Sequence, residues 1–120
     1  MEFDAHKPIY LQICDQIYEK ILKGTLLAED RIQSVREMGV ELGVNPNTIM
    51  RSYDNLQSKG IIYNKRGIGY FISQDAKDLV IKEMREYFFI NELPLMVKKI
   101  NLLKIGIDEL VDAINKKDNI

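Results

Sequence analysis

The chain of 120 residues has one cysteine, one histidine, three prolines and almost no net charge. Cys14 by itself cannot close an intramolecular disulfide or supply a cysteine-based zinc cage, so an intracellular chain that binds no metal is expected. No segment approaches the roughly 18 apolar residues of a spanning helix, and no basic stretch followed by an apolar run opens the sequence, which predicts a cytoplasmic protein without a membrane partner. With Lys+Arg 17 against Asp+Glu 18, nothing draws the whole chain toward nucleic acid or anionic lipid. Any such binding must come from a local patch. The length allows one ordinary domain with a small appendage and excludes a large catalytic barrel. What is present suffices for folding, since 46% of residues are hydrophobic and 29% charged.

Catalytic chemistry finds little to stand on. His6 has no acidic or thiol partner at a fixed offset, and it reads as incidental. Cys14 falls on the apolar face of a helical pattern without a basic neighbour to lower its pKa, so it reads as a packed thiol. Gly67-Ile68-Gly69 lacks the third glycine of a dinucleotide cradle and follows no parallel-strand unit. No enzyme, no cofactor and no metal site are expected.

Charge is distributed unevenly along the chain. Residues 1–33 and 71–120 are both mildly acidic, whereas residues 34–70 carry Arg36, Arg51, Lys59, Lys65 and Arg66 against Glu37, Glu41 and Asp54. An excess of two positive charges is small, and on charge alone ordinary solvated surface explains it. The pattern of elements must decide.

Pro8 suits the first turn of a helix, and Tyr10, Ile13, Cys14, Ile17 and Ile21 follow at three- and four-residue spacing until Gly24. Ser34 and Glu37 have capping-box spacing, which predicts a second, short helix to about Leu42. Gly43 breaks it, and Asn45-Pro46 supplies an N-cap and first-turn proline for a third helix. Ile49, Tyr53 and Leu56 give that helix one buried stripe, and Gly60 is placed to end it. Ile61–Tyr63 and Tyr70–Ile72 are β-prone and flank residues 64–69, which predicts a hairpin with a basic, glycine-containing tip. Helical spacing returns from Asp75, with a bend expected near Glu92 to Pro94 because proline removes a backbone hydrogen bond and crowds the preceding turn. Gly106 separates a last helix, Asp108 to about Lys116. No repeat or low-complexity tract interrupts this order.

Helix, capped helix, sharp glycine turn, capped helix and basic hairpin form a winged helix-turn-helix. The fold class is therefore mainly α with a small β-hairpin: a winged helix-turn-helix over residues 1–74 and a helical tail over residues 75–120. A recognition helix needs polar side chains on its first turns, because that end enters the major groove. Asn45, Asn47, Thr48 and Arg51 meet this need: Asn suits adenine, Arg suits guanine or phosphate, and a Thr methyl suits thymine. The plainer alternative is that Asn45 only caps the helix and Arg51 only solvates it.

The strings Lys7-Pro8-Ile9-Tyr10-Leu11-Gln12-Ile13, Arg31-Ile32-Gln33-Ser34-Val35-Arg36-Glu37, Leu42-Gly43-Val44-Asn45-Pro46-Asn47-Thr48, Arg51-Ser52-Tyr53 and Gly67-Ile68-Gly69-Tyr70-Phe71-Ile72 stand in an order that resembles the GntR family of bacterial transcription regulators. The likeness is dense from residue 7 to 73, and the short C-terminus resembles the YtrA subfamily. The resemblance implies DNA-contacting roles for Ser34, Arg36, Asn45, Asn47, Thr48 and Arg51, with Lys65, Arg66 and Gly67 forming a wing that touches the minor groove or its phosphates. Gln33 stands where the family usually has proline, and Met38-Gly39 where it has Leu-Ala, which predicts a looser start and packing of the second helix. Pro46 stands where other branches place a base-reading arginine, so their operators do not transfer.

The tail is too short for the large effector-binding domains of most GntR branches. Its Phe88, Leu95, Met96, Ile100, Leu103, Leu110 and Ile114 carry more apolar surface than two helices hide on themselves, which predicts a homodimer paired through the tail. The rival is packing of this stripe on the chain's own DNA-binding part. Together these readings predict a homodimeric repressor of a palindromic double-stranded DNA operator. Operator, target genes and any small-molecule effector are left open, with the neighbourhood of Tyr87, Phe88 and Phe89 the place such an effector would lodge. The alternative is a winged-helix protein-interaction module whose functional surface is the apolar tail.

Overall fold

The computed structural model describes residue 3 and residues 5–118; the outermost residues of the two expected domains, 1, 2, 4, 119 and 120, lie outside the described residues. Helix α1 (Ile9–Lys23) follows Pro8, whose carbonyl accepts the Gln12 N–H at 3.2 Å. Gly24 ends it at φ +79°, a left-handed conformation that glycine adopts without a Cβ penalty. Helix α2 (Val35–Leu42) opens with a complete capping box: Ser34 Oγ accepts the Glu37 N–H and Glu37 Oε1 accepts the Ser34 N–H, both at 3.1 Å. Helix α3 (Pro46–Ser58) starts as its sequence predicts, with Asn45 Oδ1 accepting the Asn47 N–H at 2.8 Å and Pro46 in the first turn.

The looser second helix predicted from Gln33, Met38 and Gly39 is not found. The Gln33 carbonyl accepts the Tyr53 hydroxyl at 2.6 Å, Met38 is buried, and a Cβ at Gly39 would stand 2.9 Å from the Val44 carbonyl oxygen. Glycine lets the turn between α2 and α3 lie directly on α2. Looseness inferred from a missing proline overlooked this tertiary hydrogen bond.

Strands β1 (Ile62–Lys65) and β2 (Gly69–Ile72) pair antiparallel from Ile62 opposite Ile72 to Lys65 opposite Gly69. The pairing runs further than the β-prone residues suggest. Only residues 66–68 are left for the loop, because Gly67 at φ +79° occupies the third position of a turn closed by the Ile68 N–H on the Lys65 carbonyl at 2.9 Å. After a turn in which Glu29 takes φ +69°, residues 30–32 run along β2, with Arg31 bridged to Phe71. This polar stretch carries no strand signal, and its conformation comes from the neighbour it meets.

Beyond the hairpin lie α4 (Ala76–Tyr87), a π-helical turn (Phe88–Glu92), α5 (Leu93–Leu102) and α6 (Ile107–Asp118). The disturbance expected at Glu92 to Pro94 takes the form of widened winding just before it, in which the Leu93 N–H donates to the Phe88 carbonyl. A turn of wider pitch ahead of Pro94 eases the crowding that its ring imposes on straight α-winding.

Two compact units result, Met1–Glu83 and Met84–Ile120. In the first, Ile13, Ile17 and Ile21 of α1, Ile49, Tyr53 and Leu56 of α3, and Ile61, Ile62 and Ile72 around the hairpin make one core. Ala76 and Val80 of α4 are buried in it, so this unit extends past residue 74. Glu83 accepts the Tyr18 hydroxyl at 2.9 Å and pairs with Lys59, which fastens α4 to α1 and the end of α3. In the second unit no described side chain is buried.

Tyr53 is fully buried and its hydroxyl has one backbone acceptor. Replacing it with Phe is expected to cost about 1 to 2 kcal/mol in denaturant unfolding, because the Gln33 carbonyl is left unanswered. Unchanged stability would contradict that role. Burial pushes the Cys14 thiol up from its ordinary 9.0 to about 11. The folded chain favours the neutral thiol, so this contribution is fully present below about pH 9 and lost as pH rises toward 11. A thiol reagent at neutral pH is expected to modify Cys14 only as fast as the chain unfolds; modification at the rate of a free thiol would contradict burial.

Candidate nucleic-acid interface

A helix has two kinds of face, and α3 separates them cleanly. Ile49, Ser52, Tyr53 and Leu56 are buried, while Asn47, Met50, Arg51 and Asp54, at three- and four-residue spacing, share the exposed side. Ser52, the buried polar member, donates to the Tyr10 carbonyl at 2.7 Å and thereby locks α3 against the start of α1. This places Arg51 under control, because its guanidinium carbon stands 4.0 Å from the centre of the Tyr10 ring. Stacking on an aromatic face holds a guanidinium in place while its in-plane N–H groups remain available.

Asn45 is half committed. Its side-chain oxygen serves the Asn47 N–H, so only its amide hydrogens remain, and the donor–acceptor pair that adenine requires is not available from it. Asn47, two residues further in, is exposed and has both groups to offer. Thr48 is half-buried. At the start of α2, Ser34 Oγ is likewise occupied as an acceptor yet keeps its hydroxyl proton, and Arg36 beside it is exposed. The Ser34 N–H holds the Glu37 carboxyl below the usual range, so the cap stays charged and the helix start stays formed.

The wing lies beside α3 through one residue. Tyr70 of β2 packs edge-on against Tyr53, ring centres 4.9 Å apart, and its hydroxyl donates to the Met50 sulfur at 3.8 Å. Lys65, Arg66 and Gly67 are exposed at the hairpin end, with the Lys65 ammonium 4.7 Å from the centre of the Phe71 ring. Among the described residues, Arg36, Arg51, Lys65 and Arg66 have no carboxylate within ion-pair distance, whereas Lys59, the fifth cation of this stretch, is paired with Glu83. The local positive charge is thus carried by four side chains, all facing solvent.

Met50 escaped the sequence reading. It lies one turn beyond Asn47 on the same face and is 40% exposed, which offers an apolar contact of the kind a thymine methyl accepts. Its spacing from Asn47 was the available signal. Asp54 bounds the patch with the opposite charge. In the tail, Leu95, Met96, Leu103 and Ile114 are exposed, and Phe88, Ile100 and Leu110 are half-buried. The described residues contain no cluster of three metal-ligating side chains and no helix long and apolar enough to cross a membrane.

This arrangement can be set beside known proteins. Residues 9–72 match the family described as bacterial regulatory proteins, gntR family. The chain is 37% identical over 113 residues to the uncharacterized HTH-type transcriptional regulator YhcF of Bacillus subtilis, covering 94% of this chain and 92% of that one. It is 41% identical over 75 residues to the HTH-type transcriptional repressor YtrA of the same organism, covering 62% of this chain and 58% of YtrA. A GntR family transcriptional regulator from Listeria monocytogenes superposes with a TM-score of 0.79 at 33% identity, over 95% of this chain and 98% of that structure. The DNA-binding domain of AraR, solved in complex with operator ORR3, superposes with a TM-score of 0.55 at 30% identity, over 61% of this chain and 86% of that structure. The chain belongs to the gntR family of bacterial regulatory proteins.

Proposed function

We propose that this chain is a sequence-specific transcription regulator that binds double-stranded operator DNA as a homodimer and represses. The observation that carries this reading is the exposed face of α3, where Asn47, Met50 and Arg51 stand together at the helix start with unpaired cations of the wing beside them. Side chains on the first turns of such a helix reach base edges in the major groove, and a wing at its flank meets phosphates. The operator complex of AraR supports DNA as the ligand, and the name of YtrA supports repression.

Asn47 and Arg51 are assigned to base reading. Ser34, Arg36, Lys65, Arg66 and the Gly67 turn are assigned to the backbone, with Thr48 at the edge and Asn45 as a cap that retains two donors. Selection of bound sequences from a random duplex pool, followed by affinity measurement, tests the division. Asn47→Ala or Arg51→Ala is expected to cost about 1 to 3 kcal/mol on the selected site and far less on random duplex. Neutralising Lys65 and Arg66 is expected to weaken both equally and to lower the salt dependence. Equal losses on selected and random DNA for Arg51→Ala would refute base reading.

Homodimerisation is assigned to the tail through Phe88, Leu95, Met96, Ile100, Leu103, Leu110 and Ile114. Leu95 is 70% and Leu103 60% exposed in the single chain, an arrangement that costs free energy unless a second surface covers it. The same surface would serve a protein-interaction module, and oligomeric state separates the two readings. Leu95→Glu combined with Leu103→Glu, at positions exposed in the single chain, is expected to leave helix content unchanged and to yield a monomer in sedimentation, where the unaltered chain is a dimer. A monomeric unaltered chain, or a dimeric double variant, would refute this assignment.

A further inference from the structure

The segment before α2 meets β2 in an isolated antiparallel bridge. The Glu29 N–H donates to the Ile72 carbonyl at 2.7 Å, the Ile72 N–H to the Asp30 carbonyl at 2.9 Å, and the Ile32 N–H to the Tyr70 carbonyl at 3.0 Å. Side chains alternate along such a segment: Ile32 is buried, and Arg31, bridged to Phe71, is exposed. Residues opposite one another share a face, so Arg31 stands on the outer side of the hairpin with Phe71, Tyr63 and Lys65.

Its side chain then lies across Gly69. A Cβ built on Gly69 would stand 2.9 Å from Arg31 Nε and 3.5 Å from Nη2, so the guanidinium occupies the space that any larger residue would need. Gly69 is the cross-strand partner of Lys65 and follows directly on the turn that holds Arg66. Arg31, Lys65 and Arg66 are therefore gathered at one end of the hairpin, and none has a carboxylate within ion-pair distance among the described residues. Of the nearby acids, Glu29 accepts the Tyr63 hydroxyl, and Glu37 serves the Ser34 cap while feeling the Arg31 charge from beyond ion-pair distance. Three cations close together, none of them neutralised by a direct ion pair, leave a positive patch that attracts an anion. A planar guanidinium, with its donors in a fixed fork, is the group that matches a phosphate.

We infer that Arg31 is a phosphate-binding residue of the wing, a contact to the backbone of double-stranded DNA outside the helix-turn-helix and outside the hairpin loop. The assignment rests on the DNA-binding reading above. Gly69 serves it by leaving room for the guanidinium beside the turn. The rival role, a cover over Gly69 with no ligand, predicts no change in salt dependence when the charge is removed.

The test is fluorescence anisotropy of a labelled mixed-sequence duplex titrated with the full chain over a series of salt concentrations, for the unaltered protein, Arg31→Gln and Arg31→Lys. Arg31→Gln is expected to weaken binding several-fold at low salt and to lower the slope of log affinity against log salt by about one per bound chain, while Arg31→Lys keeps the slope. An unaltered slope in Arg31→Gln overturns the assignment, as does an equal loss of slope in Arg31→Lys, which keeps the charge. Failure of the unaltered chain to bind duplex at any salt overturns the DNA-binding reading itself and is distinct from both.

Discussion

The first unit, Met1–Glu83, is organised around Tyr53. Its ring is fully buried, its hydroxyl donates to the Gln33 carbonyl just before α2, and Tyr70 of the wing packs on its face. One side chain of α3 thereby fixes where α2 begins and where the hairpin lies. Ser52, the residue before it, does the same for α1 through the Tyr10 carbonyl. Helix α3 is positioned from its buried side by polar contacts with fixed geometry, which apolar packing alone would not give. Its exposed side carries little of that load: Asn47 is exposed, and Met50 and Arg51 make only surface contacts with Tyr70 and Tyr10.

That separation explains how a chain with no net attraction for nucleic acid is suited to bind it. The cations that the fold needs are paired, as Lys59 is with Glu83 and Lys7 with Asp15. Those at the start of α2, on α3 and on the wing are left to solvent. Arg51 is held by an aromatic face instead of a carboxylate, so it is ordered without being neutralised. Whole-chain charge, near zero, obscures this arrangement because the acidic residues lie mostly outside residues 34–70.

The capping residues, the glycine stops and the buried stripe of α3 were legible in the sequence, because each is a local rule with a single residue type behind it. Ser34 with Glu37, Asn45 with Pro46 and Gly43 are such cases. What escaped depended on partners distant in sequence. Residues 30–32 run along β2 because its backbone groups are free to bond them, and the peptide at Gln33 is held without a proline ring because Tyr53 reaches its carbonyl. The widened turn at Phe88–Glu92 differs from the expected bend for a related reason: proline at position 94 fixes that the helix must adjust, and the preceding turn determines how. The exposed placement of Asn47 and Arg51 was legible from helix position, while the placement of Met50 depends on which face of α3 is buried and that of Arg31 on its bridge to β2.

Helix α3 and the wing, and not the apolar tail, are the surface proposed to meet nucleic acid. Amide chemical shifts of the full chain, followed while a mixed-sequence duplex is added at low salt, test it most directly. The account predicts shifts concentrated at residues 31–37, 45–54 and 65–69, with the tail unaffected. Shifts confined to residues 88–114, or none at any ratio of duplex to protein, would contradict it.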